Sequence, residues 1–265
     1  MFRQRLLTTL VLVPLVLIAL YYANNLVFAG IVIVLLFGCA VEWLQLIPMK
    51  QSGAKISFVI LILALTWLLQ YGFIYWLFTG LVLWLLILAA VIYFPASQKI
   101  WGYPWIVTIA GLIVLPLFAQ SLIKIHAQEQ GKALILYLLF LIWAADIGAY
   151  LSGKSWGHHK LIPAVSPGKT IEGSLGGFIL SMLMALGGYF YFKPQVIAHW
   201  YAIAAATALI SILGDLFISI LKRRAKLKDT GHLLPGHGGA LDRLDSLIAA
   251  SPLFYCGLRV LAPGL

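Results

Sequence analysis

Long apolar segments, each ended by a short polar turn, follow one another along the whole chain. A helix that crosses the hydrocarbon core of a bilayer needs about 20 mostly apolar residues. The chain has eight or nine such segments, because the third is short and the second and seventh each contain a glutamate. They span residues 6–23, 26–47, 56–70, 73–94, 105–123, 133–152, 171–192, 198–219 and 246–262. The pattern predicts an all-α, polytopic integral membrane protein with eight or nine transmembrane helices.

Composition supports the same class. Of the 265 residues, 63% are hydrophobic and only 10% are charged, whereas soluble domains have about 25% charged residues. A separate soluble domain is therefore not expected.

Arg3 and Arg5 precede the first apolar segment as in a signal peptide, but no small-residue cleavage site follows, so we expect an uncleaved first span.

The basic residues indicate an orientation. Lysines and arginines that flank spans tend to stay on the cytoplasmic side. With nine spans and the N-terminus inside, 14 of the 18 basic residues fall in the cytoplasm and only Lys124, Lys132, Lys193 and Arg259 fall outside. The charge distribution therefore favours a cytoplasmic N-terminus.

The chain divides into two parts by the position of its polar residues. Residues 1–130 contain only Glu42 and Glu129 as acids and are interpreted as scaffold helices. Residues 131–265 are interpreted as the catalytic part, with cytoplasmic loops at 153–170 and 222–245. Both loops are rich in Gly, Pro, His and Lys, as loops that approach a ligand with their backbone often are.

Two aspartates interrupt predicted spans. Asp146 lies in LLFLIWAADIGAYL and Asp215 in ALISILGDLFISIL. A carboxylate within a spanning helix costs a few kcal/mol and normally faces a polar cavity, a cation or a counter-charge. Both residues are therefore candidates for a site, although a packing hydrogen bond or a salt bridge to a nearby lysine would also account for each.

A second pair of aspartates follows in the last loop. Asp242 and Asp245 are three residues apart, which places them on one face of a helix. Together with Asp215 they suggest Mg²⁺, a hard cation that binds oxygen ligands and substrate phosphates. The alternative is that they only cap and charge the N-terminus of the last helix.

A dense basic run, 222–228, precedes a glycine-rich turn that ends at Gly238 and Gly239. Such runs usually serve as topology or anionic-lipid signals. A glycine-rich turn before a helix, however, supplies free backbone N–H groups for phosphate oxygens.

The segment from Gly148 to Ser155 matches the phosphate-binding loop pattern G-x-x-x-x-G-K-[ST], but it continues a predicted helix instead of following a strand, so we reject that interpretation.

The segment from Ser219 to Asp245, SILKRRAKLKDTGHLLPGHGGALDRLD, resembles the signature of the phosphatidate cytidylyltransferases, or CDP-diacylglycerol synthases, position by position. The segment from Ala145 to Gly173 is similar to a second motif of that family. The resemblance implies the reaction of CTP with phosphatidic acid to give CDP-diacylglycerol and pyrophosphate. It also implies a homodimer in the membrane, Mg²⁺ as cofactor with K⁺ as a second cation, and no nucleic acid partner.

The resemblance also implies roles for individual residues. The metal ligands would be Asp215 and Asp242, with Asp245 in support, and the catalytic set would add Lys222 and Arg223. Substrate binding would fall to Asp146, Ser166, Lys169, Lys228, Asp229, His237, Gly238, Gly239 and Arg243.

Two other functions stay open at this point. A related CTP-dependent lipid kinase would transfer the terminal phosphate of CTP instead of its cytidylyl group. An ion-coupled transporter would use Asp146 and Asp215 to line an ion path, with the basic loops as topology signals. The clustering of ionisable residues at one end of the predicted helices favours an enzyme over a transporter.

Overall fold

The computed structural model describes residues 2–47, 52–231 and 238–263; residues 2–10 and 12 are described by their backbone alone. The described part contains eight α-helices, one 3-10 helix and one antiparallel β-hairpin. In chain order these are α1 (Phe2–Tyr22), α2 (Asn25–Trp43), α3 (Ser52–Ile92), the 3-10 helix (Ala96–Gly102), α4 (Pro104–His126), α5 (Gly131–Trp156), β1 (Lys160–Ile162), β2 (Ser166–Thr170), α6 (Ile171–Phe192), α7 (Ile197–Arg224) and α8 (Leu241–Leu261).

The helices confirm an all-α, polytopic membrane protein. Seven of them, α2 to α8, are long and apolar enough to cross a membrane in the described ranges, and α1 contributes the shorter apolar stretch Val13–Tyr22. Helix α3 has 41 residues, about twice the length that one crossing requires. Counting α3 as two crossings gives eight spans without α1 and nine with it, as the sequence predicts.

Helix α3 covers the two predicted spans 56–70 and 73–94 and changes direction at Gly72, whose φ of −133° and ψ of 28° are not helical. Contacts with α4 give the direction of each half. The first half of α3 runs parallel to α4 and the second half runs antiparallel to it, so the chain reverses its direction near Gly72. The contacts are Phe58 with Gly111 and Thr66 with Gln120 in the first half, then Phe73 with Lys124 and Gly80 with Leu117 in the second.

The two predicted loops are shorter in the structure than in the sequence analysis. Helix α5 continues to Trp156, and a β-hairpin takes up most of the rest of the 153–170 loop. In the 222–245 loop, α7 continues to Arg224 and α8 already begins at Leu241. The predicted last span, 246–262, therefore starts about one turn too late, and both Asp242 and Asp245 belong to α8.

Small residues bring α5 and α6 together. A Cβ at Gly148 would lie 2.6 Å from the Gly176 carbonyl oxygen, and a Cβ at Gly177 would overlap the Ala145 carbonyl oxygen. Small residues at such interfaces let helix backbones approach closely where lipid provides no hydrophobic driving force. This packing holds α5, which carries Asp146, against α6, which follows the hairpin.

An aromatic cluster fixes α7 in the bundle. The ring of Phe217 is fully buried and lies 6.2, 5.8 and 5.3 Å from the rings of Trp43, Trp84 and Trp101. Large aromatic side chains contribute much of the packing energy of a core. Because Phe217 is two residues after Asp215, the cluster anchors α7 at the level where its carboxylate lies.

Candidate active site

Helices α7 and α8 touch through a glycine. A Cβ at Gly214 would collide with the Asp245 carbonyl oxygen and with Ala249, so only glycine allows this approach. The contact brings Asp215, the next residue on α7, near Asp245, and charge–charge interactions link the two carboxylates. Asp242 lies about one turn before Asp245 on α8. The three predicted metal ligands therefore lie at the same end of one helix pair, which we call the polar end.

Both carboxylate oxygens of Asp242 are bonded to other groups of the protein. Its side chain is only 5% exposed. Oδ1 lies 2.7 Å from the Lys222 ammonium, and Oδ2 accepts the backbone N–H groups of Thr230 at 2.8 Å and Gly239 at 3.0 Å. Gly238 has a φ of +84°, which favours glycine, and a Cβ there would crowd Asp242. Asp242, in the first turn of α8, thus holds the backbone that precedes this helix and forms a buried ion pair.

Asp215 connects α7 to the hairpin. Its Oδ2 lies 2.6 Å from the ammonium of Lys169, which comes from β2, and its Oδ1 accepts the Ser219 hydroxyl at 3.2 Å. Charge–charge interactions connect Asp146 on α5 with Asp215, Lys169 and Arg243. The ionisable residues predicted from separate motifs therefore converge on one cluster, to which α5, β2, α7 and α8 all contribute.

Other predicted residues lie around this cluster with different contacts. Arg223 is exposed and donates from Nε to the Val165 carbonyl at 3.2 Å, so it ties α7 to the hairpin. Ser166 begins β2 opposite Ile162. Lys228 and Asp229 are exposed on the segment after α7. His237 lies outside the described residues.

Sequence reasoning missed Glu42, which was assigned to the scaffold. This residue of α2 is buried, 6% exposed, and accepts three hydrogen bonds from the segment that leads into α8. A lone glutamate inside an apolar span was the available signal, because ionisable residues within spans usually have a specific partner.

The phosphate-binding loop pattern is not a phosphate-binding loop here. Gly148 to Ser155 lie within the continuous helix α5, and no β-strand precedes them in the described chain. Lys154 is exposed, with its ammonium 5.8 Å from the centre of the Tyr150 ring. The rejection made from the sequence is therefore confirmed.

The oxygen donors of the cluster suit a hard divalent cation. Within the described residues, no group of three or more His, Cys, Asp or Glu has metal-binding geometry. Lys169 and Lys222 each lie against one of the carboxylates. An ionised carboxylate has about four acceptor sites, whereas Asp215 uses two and Asp242 three in these contacts. Both aspartates thus retain acceptor capacity, and carboxylate oxygens are the ligands that Mg²⁺ prefers.

An apolar cavity of about 510 Å³ shares a stretch of α7 with the cluster, although no residue of the cluster lines it. It lies between α3, the hairpin and α7, and its lining includes Ile92, Ile162, Leu213 and Leu216. Because the last two flank Asp215 along α7, the cavity runs beside the α7 segment that carries this carboxylate. The charged cluster and the apolar cavity therefore lie along the same stretch of α7.

Comparison with known proteins agrees with these features. Residues 3–261 match the sequence profile of the Cytidylyltransferase family. The phosphatidate cytidylyltransferase of Pseudomonas aeruginosa is 37% identical over 260 residues, covering 96% of each chain. That of Haemophilus influenzae is 35% identical over 282 residues, covering 96% of this chain and 97% of its own. With a match from end to end and relatives of the same extent, this chain belongs to the cytidylyltransferase family.

Proposed function

We propose that this protein transfers the cytidylyl group of CTP to phosphatidic acid and releases pyrophosphate. The observation that carries the proposal is the cluster of carboxylates, lysines and Arg243 beside an apolar cavity in a membrane protein. A nucleotide needs the charged part and a lipid needs the apolar part. The relatives named phosphatidate cytidylyltransferase support the same substrates.

The chemistry requires charge neutralisation more than proton transfer. A phosphate oxygen of phosphatidic acid attacks the α-phosphorus of CTP, and the bond from that phosphorus to the bridging oxygen of the β-phosphate breaks. Pyrophosphate leaves with that oxygen and its electron pair. The attacking oxygen is already anionic near neutral pH, so a strong general base is not needed. Such transfers are accelerated chiefly by positioning and by electrostatic stabilisation.

The basic side chains of the cluster suit that task. Lys169 lies 2.6 Å from Asp215 in a partly exposed pair and can exchange this contact for phosphate oxygens, while Lys222 adds positive charge from its buried pair with Asp242. Arg243 interacts with Asp146 within the same cluster and offers a planar, permanently charged group for phosphate. Together they offset the repulsion between two anionic substrates.

Mg²⁺, with K⁺ as a second cation, is part of this proposal. Asp215 and Asp242 would hold the divalent cation, with Asp245 in support, because all three offer carboxylate oxygens at the polar end. When bound, Mg²⁺ would neutralise the triphosphate and the charge that develops on the leaving pyrophosphate.

The apolar cavity suits part of the lipid's acyl chains. Its lining comes from α3, the hairpin and α7, all of which have apolar residues at this level. Binding there would place the lipid phosphate beside Asp215 and Lys169 while the chains stay out of water. The site at the membrane boundary thus receives one substrate from each phase.

The proposal includes a location and an assembly. The polar end and the N-terminus would face the cytoplasm of a bacterial inner membrane, because most lysines and arginines flank that side of the predicted spans. The protein would act as a homodimer. Protease accessibility of an N-terminal tag in inverted vesicles tests the orientation, and the mass of the purified protein in detergent tests the assembly.

A product assay tests the reaction. Purified protein with Mg²⁺, phosphatidic acid and CTP labelled in the α-phosphate is expected to yield labelled CDP-diacylglycerol and unlabelled pyrophosphate. Release of labelled CDP with a phosphorylated lipid would assign a kinase instead. Absence of nucleotide turnover in folded protein would exclude the enzyme and leave the transporter as the better hypothesis.

A further inference from the structure

We propose that Glu42 is a positioning residue, which sets the location of Asp242 by holding Thr230 and the first residues of α8. The inference rests on the proposed function, because it assigns a role to Glu42 in that reaction. Glu42 lies near the end of α2, far from the signature in sequence, and Thr230 is 188 positions away from it. It is buried and belongs to none of the motifs described above.

The carboxylate of Glu42 accepts hydrogen bonds from Thr230 and from the start of α8. Its Oε2 accepts the Thr230 hydroxyl at 3.0 Å and the Leu241 N–H at 2.8 Å. Its Oε1 accepts the Ala240 N–H at 2.9 Å. The last two are N–H groups at the start of α8, where a negative charge is stabilised by the helix dipole. Glu42 therefore fixes where α8 begins.

Residues that bind Glu42, and a direct chain neighbour of one of them, also donate hydrogen bonds to Asp242. Thr230 gives its N–H to Asp242 and its hydroxyl to Glu42. Gly239 gives its N–H to Asp242, and the next residue, Ala240, gives its N–H to Glu42. Because Thr230 donates to both carboxylates and Gly239 is covalently joined to Ala240, we expect a shift of the Glu42 carboxylate to move the groups that hold Asp242.

Two glycines allow this arrangement. A Cβ at Gly231 or at Gly239 would overlap a carboxylate oxygen of Glu42. Neither glycine has a positive φ, so the constraint at these positions is the close approach to Glu42, and a side chain there would have to displace its carboxylate. The backbone thus lies against the Glu42 carboxylate at both Gly231 and Gly239.

The alternative is that Glu42 only stabilises the fold by joining α2 to α8. A purely structural role would lower protein stability and yield without a selective effect on the chemical step. A positioning role lowers kcat and leaves the KM for the lipid nearly unchanged, because misplacement of a reacting group by about 1 Å can cost roughly 100-fold in rate.

The first test replaces Glu42 by Gln, Asp and Ala, with Glu129→Gln as matched control. Glu129 is exposed in the turn before α5 and undergoes the same chemical change. We expect kcat to fall about 10-fold in Glu42→Gln, which keeps size and one acceptor, and about 100-fold in Glu42→Ala, with a KM for phosphatidic acid within about twofold of wild type. The control is expected to match wild type.

A second test uses the contact between Gly239 and the Glu42 carboxylate. Gly239→Ala is expected to lower kcat by pushing the Glu42 carboxylate aside, whereas Gly187→Ala, at a position with open space around it, is the control. Because both changes break the same contact, the double variant Glu42→Ala/Gly239→Ala is expected to be no slower than Glu42→Ala alone.

The results separate this inference from the proposed function. If wild type turns over CTP and phosphatidic acid but folded Glu42→Gln and Glu42→Ala keep at least half of its kcat, the positioning role is wrong. Multiplicative losses in the double variant, or losses that only follow a lower melting temperature, would also overturn it. If wild type forms no CDP-lipid at all, the proposed function itself is wrong.

Discussion

The two lysine–aspartate pairs at the polar end differ in their exposure to solvent. In the pair of Lys169 and Asp215, the side chains are 25% and 33% exposed, whereas in the pair of Lys222 and Asp242 they are 11% and 5% exposed. The first pair joins the hairpin to α7, and the second joins α7 to α8. The first pair is open enough for a ligand to replace its lysine, while the second pair fixes the position of a carboxylate.

The surroundings of the two pairs explain this difference. Asp242 also accepts two backbone N–H groups, from Thr230 and Gly239, whose positions depend on Glu42. Asp215 receives one further bond, from the hydroxyl of Ser219 in its own helix. The geometry of Asp242 is thus set by the fold of three separate segments, and that of Asp215 mainly by α7 alone.

The largest expected effect comes from Asp242→Asn. The amide has the same size, and its oxygen can still accept the two backbone N–H groups, so the variant should still insert in the membrane. The Lys222 ammonium loses its counter-charge, however, so stability should fall as it does in Lys222→Met, and turnover is compared at equal amounts of folded protein. Loss of the negative charge should reduce turnover by at least about 100-fold, because charge stabilisation is the main catalytic contribution. Initial rates at saturating substrate measure it. If most of the activity remains, Asp242 is only a helix cap and the proposed metal role fails.

Lys222→Met should give the next largest effect, on stability. Removing one partner of a buried ion pair leaves an uncompensated charge, which costs about 3–5 kcal/mol. Unfolding by SDS titration in micelles measures the change. The double variant Lys222→Met/Asp242→Asn should regain much of that stability, since no uncompensated charge remains, but should stay inactive. Equal stability of Lys222→Met and wild type would mean that the ion pair of Lys222 with Asp242 is not buried as described.

Lys169→Ala should have the smallest effect on stability. Its pair with Asp215 is partly exposed, and such pairs contribute about 1 kcal/mol or less. The variant should nevertheless raise the KM for CTP, by about 10-fold, because a hydrogen bond to a charged group contributes about 1.5–3 kcal/mol. Arg259→Ala, an exposed charge in the last turn of α8, is the matched control. A large loss of stability with unchanged KM would reverse the comparison between the two pairs.

Individual residues show how far the sequence could predict the site. Asp215 and Asp242 could be identified because charged residues rarely lie in or beside apolar spans without a function, and the structure brings their helices into contact. The sequence could not tell that Asp242 uses three acceptor sites within the protein. That depends on Gly214, which sets the separation of α7 and α8, and on the conformation at Gly238.

Glu42 shows where prediction from sequence stops. Its position in an apolar span indicated that it needs a partner, but nothing in the sequence indicated which one. Its partners lie at the start of α8 and just after α7, nearly 200 positions later, and the partnership exists only because α2 packs beside them. Hydrophobic pattern carries no information about such long-range contacts.

The sequence by itself determined the class of fold, the number of membrane crossings and the resemblance to a family. These depend on local properties, which are the length of apolar segments and the order of residues in a motif. The tertiary structure decided which lysine faces which aspartate, which carboxylate is open and which is closed, and that Glu42 belongs to the site. Those features depend on how closely the helices approach each other, which glycines at their contacts control.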